Sequence, residues 1–407
     1  MGPHEPPGPA RRPRVLLSAF ACVPGRGSEP GAGWTWALAA TVNHDVVLLT
    51  ERENERSLTA ELAARPVPAL EVVYVDVPAW VAARSTGDER IRLRNAAWQR
   101  AARRTTVRLH RAEPFDVVHH VTWSADWQPV GVAGLGAVPF VWGPVGGAGP
   151  FPWQLTRWFT PRALVAEAVR WLVAGTGRRA LGDRVARAAD VVLCQNDTVA
   201  ARFRPHTRGT VRVEPNVGLD LDAVRPAPLV GPTRRAVFAA RIHEWKGLRL
   251  AIAALAQSEA RDWQLVVVGD GPARAGGEQA VAELGLVDRV SFTGALPRPE
   301  LLQLLAGSDA LLFPSMHEAC GWVVAEALAL GCPPVCLDVG GPPVLIRRAG
   351  FGAVVPLSRN PAPALAKALA ALPLRRPPGT QVFSADRLPA LLADVYAEAG
   401  RVRGTTA

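Results

Sequence analysis

The stretch LLFPSMHEACGWVVAEALALGCPPVCLDVGG, residues 311–341, decides the predicted fold. Its apolar start predicts a buried strand that ends at Pro314. A short loop then carries Glu318, and the apolar run that follows predicts a helix that contains Glu326 and closes at Gly331. The two carboxylates, eight positions apart, flank the place where a strand ends and a helix begins. Open α/β sheets bind their ligands at such junctions.

The start of this helix favours an anionic ligand. The first turn of a helix leaves backbone N–H groups unpaired, and these groups bind phosphate. Ionised carboxylates on either side accept hydrogen bonds from hydroxyl groups. A phosphate site between two hydroxyl-binding carboxylates is the pattern expected of a nucleotide-sugar site.

The composition is that of a globular protein with two domains. The chain has 407 residues, of which 49% are hydrophobic and 20% charged, and this length exceeds one typical domain. The net charge is +10, but only Lys246 and Lys367 are lysines. The charge therefore reflects an arginine-rich composition as readily as an anionic partner. The five cysteines form no CxxC pair, which favours neither a disulfide framework nor a zinc site.

The amino terminus and the hydrophobic runs favour a cytoplasmic protein. Residues 1–13 are rich in proline and lack the apolar core of a signal peptide, so we expect a disordered tail. No stretch reaches the roughly 18 apolar residues that span a bilayer. Scattered, odd-numbered cysteines fit a reducing compartment.

Strand and helix patterns alternate along the chain in two series. Apolar runs with the length of strands recur through the first half and restart near residue 236. Such alternation predicts two parallel sheets, and therefore an α/β fold of two Rossmann-like domains that face a central cleft. The predicted domains are residues 14–217 and 233–385, joined by a segment rich in proline and glycine.

Two cations follow the first strand of the second half. The segment VFAARIHEWKGL places Arg241 and Lys246 five positions apart, just after the strand ends. Two cations at the cleft would hold a diphosphate and stabilise it as a leaving group. A solvated loop before a helix would look similar, but the scarcity of lysine in this chain favours function.

The second half resembles glycosyltransferase family 4, a large group of retaining enzymes with the GT-B fold. The resemblance rests on ARIHEWKG, VVVGDGP, FTGALP and LLFPSMHEACGWVVAEALALGCPPV in that order, and Glu318-x7-Glu326 is its most specific part. It implies transfer of a hexose from a nucleoside diphosphate sugar to a hydroxyl acceptor, a glycan or glycolipid of cell-envelope or polysaccharide biosynthesis. It also implies that a final helix, residues 386–404, packs back on the first domain.

The resemblance implies a role for individual residues. Arg241 and Lys246 would bind the donor diphosphate, Glu318 would meet hydroxyls of the transferred sugar, and Glu326 would accept from the ribose hydroxyls. The backbone of the loop–helix junction would hold the sugar and the distal phosphate, at Cys320, Gly321, Trp322 and Val323. The family usually has Gly-Phe-Gly after the first glutamate, where this chain has Ala-Cys-Gly, so the detailed loop geometry stays open.

Two other motifs mimic cofactor sites. Gly269 and Gly271 form a GDGP turn after a strand, but the third glycine of a dinucleotide motif is missing. In the family this turn lines the nucleotide pocket. Asp220-x-Asp222 mimics a metal-binding DxD motif but lies in the connector. We therefore predict no metal site and no cofactor, because side-chain cations would stabilise the leaving group.

A glycine-rich loop follows the first strand of the first half. The segment FACVPGRGSEPGAGW, residues 20–34, contains four glycines, and a helix is predicted to begin near Trp34. Such a loop lets backbone N–H groups approach an anion, and in the family it faces the donor diphosphate. Gly31 and Gly33 are therefore predicted to lie nearest the phosphates. The alternative is a surface loop whose glycines only reflect composition.

Two histidines end the fourth predicted strand of the first half. In DVVHHVTW, His119 or His120 would orient the sugar or the acceptor if its ring faces the cleft. A core histidine is an equally common alternative. The family histidine typically occupies the position of Val121, so the choice between the two stays open.

Residues 151–187 alternate aromatic and apolar residues with arginine. The region of Trp153, Trp158 and Trp171 is a candidate for contact with the inner face of a membrane, and residues 92–111 would add a basic face. Core-packing helices with solvated arginines are the alternative. No stacking or groove-reading motif accompanies the charge, so no nucleic acid partner is predicted.

Two other functional classes stay open. Nucleotide-sugar 2-epimerases share the two-domain architecture but convert the donor without an acceptor, and the motif order argues against them. A non-catalytic homologue would bind nucleotide sugar without turnover. The presence of Arg241, Lys246, Glu318 and Glu326 argues against that class.

Overall fold

The computed structural model describes residues 11–82, 91–147, 149, 151–220, 234–372 and 381–406. Within these ranges the chain forms two parallel β-sheets flanked by helices. The strands of the first sheet are β1 (Arg14–Ala19), β2 (Asp45–Glu51), β3 (Leu70–Val75), β4 (Val117–Thr122), β5 (Phe140–Val145), β6 (Val191–Cys194) and β7 (Thr210–Val213). Those of the second are β8 (Arg234–Ala239), β9 (Trp263–Val268), β10 (Val290–Gly294), β11 (Ala310–Phe313), β12 (Pro334–Leu337) and β13 (Ala353–Val355).

The helices connect successive strands and cover both faces of each sheet. The helices of the first half are α1 (Ser28–Thr41), α2 (Glu55–Ala64), α3 (Ala79–Ala82), α4 (Ile91–Ala112), α5 (Pro161–Gly177), α6 (Asp183–Ala188) and α7 (Asp197–Phe203). Those that follow are α8 (Leu248–Leu255), α9 (Arg274–Glu283), α10 (Arg298–Ala306), α11 (Trp322–Ala329), α12 (Pro342–Ala349), α13 (Ala362–Ala370) and α14 (Leu388–Thr406).

The strand orders place the loops that follow the central strands at the middle of each sheet. In the described chain the orders are β3-β2-β1-β4-β5-β6-β7 and β10-β9-β8-β11-β12-β13. Both orders reverse direction between adjacent central strands, β1 and β4 in one sheet and β8 and β11 in the other, which is where such sheets bind ligands. The expected pair of Rossmann-like halves is confirmed. Strand β7, which is only partly buried, is an addition that the apolar runs did not predict.

The central strands are buried on both faces. Every residue of β1, β4, β5, β6, β11 and β12 is buried. Near-continuous apolar runs of this kind are typical of parallel strands covered by helices on both sides. The same property made these strands the easiest to find in the sequence.

Helix α14 packs on the layer that covers the first sheet. Leu388, Leu392, Val395 and Tyr396 are buried in a core cluster that also contains Trp36 of α1. The last helix therefore ties the end of the chain to its first βα unit.

A segment of the first half packs into the second domain. Phe151, Leu155 and Phe159 are buried in the same core cluster as residues of β8, β9 and α8. These three side chains of the first half therefore belong to the core layer that covers the second sheet. The outer bounds of the two domains remain predictions.

Two arginines before β1 contact the first domain. Arg11 and Arg12 were predicted to lie in the tail, but Arg11 pairs with Asp116 at 2.8 Å and Arg12 donates to the carbonyl of His44 at 3.1 Å. The fold therefore begins no later than Arg11. Residues 1–10 and the connector residues 221–233, with Asp222, lie outside the described residues. No helix in the described part of the chain is long and apolar enough to cross a membrane.

Candidate active site

The loop between β11 and α11 is shaped by close backbone contacts. Gly321 has a φ of 87° and precedes the first residue of α11, a conformation that favours glycine. A Cβ on Gly340 would lie 1.9 Å from the carbonyl oxygen of Glu318, and the N–H of Gly341 donates to that oxygen at 3.2 Å. The two glycines after β12 therefore let the chain pack directly against the loop and fix the position of Glu318.

Glu318 forms an ion pair with Lys246. The Nζ–Oε2 distance is 2.5 Å, and the two side chains are 16% and 19% exposed. Gly247 has a φ of 79°, and a Cβ there would lie 2.2 Å from the carbonyl oxygen of Pro314. This glycine lets the turn that carries Lys246 pack against the end of β11. Lys246 and Glu318, which were predicted from separate motifs, are therefore in direct contact.

Glu326 forms the second ion pair, with Arg298. The Nε of Arg298 lies 2.9 Å from Oε1 of Glu326, whose side chain is only 7% exposed. Burial raises the pKa of Glu326, and the charge and hydrogen bond of Arg298 oppose the rise. The sequence analysis missed Arg298. Its signal was available, because it follows directly on the FTGALP segment at the start of α10.

The GDGP turn packs against the loop that carries Arg241. Gly269 and Gly271 have φ values of 127° and 154°, and a Cβ on them would lie 1.9 Å from the Ala240 oxygen and 2.5 Å from the Ile242 oxygen. Both glycines are thus needed for close approach of two backbones. Arg241 is exposed at this position, and its contact with a diphosphate stays a prediction.

The side chains at the start of α11 mainly pack. Cys320 is 5% exposed, and burial raises the pKa of its thiol well above the usual range. Val323 packs on a core cluster of the second domain, and Trp322 donates from Nε1 to Oδ1 of Asn216 at 2.9 Å. The backbone of Gly321 and its neighbours stays the predicted contact for the donor.

The glycine-rich loop of the first half is shorter than predicted, because α1 begins at Ser28 and not near Trp34. Gly31 and Gly33 therefore lie inside α1. A Cβ on them would lie 1.7 Å from the Arg26 oxygen and 2.2 Å from the Ala21 oxygen. They allow the loop to fold back on its own helix, which sequence spacing does not reveal. Their predicted contact with phosphate stays untested.

Gly27 is the loop residue that faces the second domain. A Cβ on Gly27 would lie 3.6 Å from Nε of Arg298 and 3.7 Å from Oε1 of Glu326. The start of α1, with its unpaired N–H groups, therefore lies next to the Arg298–Glu326 ion pair.

Glu29 is a partly buried carboxylate of the cleft that the sequence analysis missed. Its Oε1 accepts from Nδ2 of Asn216 at 2.9 Å and from Nε2 of Gln195 at 3.2 Å. Its Oε2 is buried and has no hydrogen-bond partner among the described residues. Burial raises the pKa of Glu29 to about 7, while the two amide hydrogen bonds oppose the rise. The acidic residue of the GSE segment was the available signal.

His119 and His120 lie within β4, which continues to Thr122, and both are fully buried. The ring of His119 contacts the hydroxyl of Tyr396 at 2.9 Å and the carbonyl oxygen of Gly143 at 2.7 Å, and burial lowers its pKa to about 3. Because Nε2 must donate to a carbonyl, Nδ1 accepts from the tyrosine. Nδ1 is used by Tyr396 of α14 and Nε2 by Gly143 of β5, so His119 has the environment of a core histidine.

His120 lies closer to the cleft. Its Nδ1 is 3.0 Å from Oγ of Ser18, and its Nε2 is 3.4 Å from the carbonyl oxygen of Trp123, a residue that lines the interdomain cavity. Burial lowers the pKa of His120 to about 4. The neutral ring supports the loop after β4, and a contact of either histidine with substrate stays a prediction.

A cavity of about 260 Å³ lies between the two domains. Its lining includes Glu29 and Asp126 from the first half and His317 and Ala319 from the second. Asn196 donates to the carbonyl oxygen of Ala319 at 2.9 Å, which joins the domains beside the cavity. In the described residues no group of three or more His, Cys, Asp or Glu side chains is arranged to hold a metal ion.

Comparisons with known proteins identify the family. Residues 225–375 match the model of "Glycosyl transferases group 1". D-inositol 3-phosphate glycosyltransferase of Streptomyces bingchenggensis is 30% identical over 329 residues, which cover 72% of this chain and 68% of that protein. This chain belongs to the glycosyl transferases of group 1.

Other curated relatives match this chain over shorter stretches. The 2-deoxystreptamine glucosyltransferase of Streptomyces kanamyceticus is 33% identical over 267 residues, 61% of this chain and 66% of that protein. The alpha-D-kanosaminyltransferase of the same organism is 35% identical over 127 residues, 31% of this chain and 33% of that protein. The chain thus spans only part of the length of these curated relatives.

Solved structures show the fold of this chain. A sucrose-phosphate synthase from Thermosynechococcus elongatus has a TM-score of 0.63 at 18% identity, over 95% of this chain and 99% of that one. WaaG, a glycosyltransferase involved in lipopolysaccharide biosynthesis, has a TM-score of 0.57 at 19% identity, over 96% and 98%. The expected GT-B fold is confirmed.

Proposed function

We propose that this chain is a retaining hexosyltransferase of family 4 that uses a nucleoside diphosphate sugar and requires no metal ion. The observation that carries the proposal is the pair of carboxylates around the start of α11, each held by a cation. Lys246 holds Glu318, and Arg298 holds Glu326. Because a carboxylate has more acceptor sites than one cation uses, both can still accept from sugar hydroxyls.

The donor would lie between the two domains with its diphosphate beside the start of α11. The oxygen of the acceptor hydroxyl forms a bond to the anomeric carbon, and the bond from that carbon to the phosphate oxygen breaks. An oxygen of the leaving diphosphate takes the acceptor's proton on the same face, so the anomeric configuration is retained. Lys246 and Arg241 would offset the charge that develops on the leaving diphosphate.

The acceptor in this proposal is a hydroxyl group of a glycan or glycolipid in cell-envelope or polysaccharide biosynthesis. The names of the curated relatives, which include inositol phosphate and 2-deoxystreptamine enzymes, add small cyclitols to the candidates. One structural neighbour, HepE of Anabaena, binds UDP and glucose, so UDP is the first nucleotide to test.

Helix α5 supports peripheral contact with a membrane. Its Val165, Val169, Trp171, Leu172 and Val173 are more than half exposed, and apolar side chains beside arginines favour an anionic lipid surface. The wild type should co-sediment with vesicles of anionic lipid, and a smaller fraction of Leu172→Ser should do so. Equal sedimentation of the two proteins would remove the membrane from the proposal.

The donor site is tested by thermal unfolding with UDP, GDP and ADP. A nucleotide at 100 times its dissociation constant should add about 2.7 kcal/mol to the free energy of unfolding. We expect one nucleotide to raise the midpoint in the wild type and to raise it less in Glu326→Ala. The matched control is Glu283→Ala, an exposed carboxylate of α9 in the same domain. If no nucleotide stabilises the wild type, the proposal fails.

Retention of configuration, metal independence and transfer to an acceptor are tested by a product assay. The anomeric coupling constant of the product by NMR reports retention, and activity in excess chelator reports metal independence. Incubation of the donor without an acceptor separates transfer from epimerisation. Inversion, loss of activity with chelator, or conversion of the donor alone would each overturn the corresponding part of the proposal.

A further inference from the structure

Three arginines of the first half line the interdomain cavity. Arg92 lies at the start of α4, Arg170 in α5 and Arg178 just after α5. Arg178 donates to Asp126 at 2.6 Å, and Arg170 pairs with Glu167 at 2.6 Å. Arg92 has no carboxylate partner within the described ranges, and its guanidinium lies 5.6 Å from the ring centroid of Trp127.

These cations are close enough to affect each other. Burial and the nearby charge of Arg92 lower the pKa of Arg170, while Glu167 opposes the change. His317, on the opposite wall, has a pKa lowered to about 3 by burial and then by Arg170, Lys246, Arg178 and Arg92. Four cations therefore act on one point of the cavity, and converging like charges favour the binding of an anion.

The cavity also contains buried polar atoms that the protein leaves unused. Asp126 and Ser124 are 2% and 3% exposed. Oδ1 of Asp126, Oγ of Ser124, Nε1 of Trp123 and Oε2 of Glu29 have no hydrogen-bond partner among the residues described. Buried polar atoms without partners are unfavourable and rare. Their presence in one cavity indicates a ligand with several hydroxyl groups.

We propose that the cavity binds the acceptor as a hydroxylated ring that carries a phosphate, with Arg92 and Arg170 on the phosphate and Asp126, Ser124 and Glu29 on ring hydroxyls. This inference rests on the proposed transferase function and narrows its acceptor. The cavity is smaller than the roughly 300–1,000 Å³ of sites for drug-sized ligands, which limits the bound part to about one ring. His317 and Ala319, on either side of Glu318, form the opposite wall, so the acceptor would meet the donor sugar there.

The same charges disfavour an amino sugar or aminocyclitol. An ammonium group in the cavity would be repelled by three guanidinium groups. Asp126 already pairs with Arg178. Glu29, with its pKa raised to about 7 by burial, is about half protonated at neutral pH and attracts a cation only weakly.

The test is binding of a matched series of soluble ligands to the wild type saturated with the nucleotide that it prefers. The series is myo-inositol 1-phosphate, myo-inositol and 2-deoxystreptamine, measured by calorimetry. We expect the phosphate to bind at least tenfold more tightly than the other two. The proposal is overturned if 2-deoxystreptamine or myo-inositol binds as tightly as myo-inositol 1-phosphate or more tightly. It is also overturned if neither the soluble phosphate nor the phosphatidylinositol headgroup binds.

Variants assign the effect to the arginines. Arg92→Gln and Arg170→Gln should weaken phosphate binding about 10- to 100-fold, because a hydrogen bond to a charged group contributes about 1.5–3 kcal/mol. The control is Arg100→Gln, which removes the same charge from another exposed position of α4, the helix of Arg92, outside the cavity lining. An equal effect in Arg100→Gln would show that general charge, not this site, binds the ligand.

A second arm separates a free phosphate from a lipid headgroup. Vesicles with phosphatidylinositol are compared with phosphatidylserine vesicles of equal charge. If the wild type prefers phosphatidylinositol vesicles, Arg92→Gln loses this preference and the soluble phosphate does not bind, the acceptor is a lipid. This result supports the proposal. Nucleotide binding by Arg92→Gln is measured in parallel: if it is retained while phosphate binding is lost, the donor site is intact. If the wild type binds no nucleotide, the transferase proposal itself has failed.

Discussion

Two strand–loop–helix junctions face each other across the cleft, and their carboxylates differ in partners. At the β11–α11 junction, Glu318 pairs with Lys246 and Glu326 with Arg298. At the β1–α1 junction, Glu29 binds only the neutral amides of Asn216 and Gln195. The local chain geometry is similar, but the charge of each carboxylate depends on residues that distant elements supply.

The glycines of the two junctions also differ. Gly321 has a positive φ, so it is required by the local backbone conformation. Gly31 and Gly33 are helical and are required because the returning loop leaves no room for a Cβ. A pattern of glycines therefore predicts a tight structure, while the reason for each glycine depends on its neighbours.

The largest expected effect is at the cation of the β11–α11 junction. Lys246→Met should lower kcat/KM about 10²- to 10³-fold, because it removes a charge that stabilises the leaving diphosphate. Steady-state kinetics with the preferred donor measure this. Lys367→Met, which changes the only other lysine at an exposed site of α13, is the control. Near-normal activity of Lys246→Met would contradict the role of this ion pair.

The second largest expected effect concerns the raised pKa of Glu29. Its folded pKa of about 7 exceeds the ordinary value of 4.5, so the folded state binds this proton more tightly than the unfolded state. Its contribution to stability is therefore full below pH 4.5 and is lost as the pH rises to about 7. At 1.36 kcal/mol per unit, the loss is at most about 3 kcal/mol.

Glu29→Gln should remove this slope. Chemical denaturation between pH 4.5 and 7.5 should show that the free energy of unfolding of the wild type falls relative to that of the variant. Glu283→Gln, at an exposed site, should keep the slope of the wild type. Parallel curves for the wild type and Glu29→Gln would show that Glu29 has an ordinary pKa.

A smaller effect concerns the packing of the β1–α1 loop. Gly33→Ala should lower the free energy of unfolding by about 1–3 kcal/mol, because its Cβ would lie 2.2 Å from the Ala21 oxygen. Gly276→Ala is the control, since that glycine of α9 has open space around it and alanine favours the helix. If thermal unfolding gives both variants the same midpoint, the loop does not pack as described.

The smallest effect tests the link between the two junctions. Trp322→Phe removes the indole N–H that donates to Asn216, the residue that also holds Glu29. We expect a loss of about 1 kcal/mol in the free energy of unfolding. Trp153→Phe, at a side chain that is 59% exposed, should change little. A loss in Trp322→Phe no greater than in this control would argue against the link.

The second domain was more predictable than the first because its signals are local. Its strands are short apolar runs, and Lys246 and Glu318 each follow such a strand directly. The ends of parallel strands meet at one edge of a sheet, so their proximity followed from the pattern. Arg298 was missed because its only signal was its position after FTGALP, and an arginine after a turn resembles a surface residue until its partner is known.

The first half was less predictable because several of its signals depend on distant contacts. Proline and glycine in residues 20–34 masked the early start of α1. His119 was predicted to end a strand, but β4 continues to Thr122, and Tyr396 of α14 contacts its ring. Phe151 and Phe159 precede α5 in the first half, yet the second domain buries them.

The sequence by itself determined the two series of βα units, the two carboxylates of the β11–α11 junction and the cation Lys246. Apolar runs, turns and motif spacing are encoded within a few tens of residues, and this local code is enough to place each residue at a strand end. Only the tertiary structure decided which carboxylates pair with a cation, which histidine belongs to the core, and which polar atoms of the cavity lack hydrogen-bond partners. Burial and pairing arise between residues far apart in the chain, because desolvation and charge act through space rather than along the sequence.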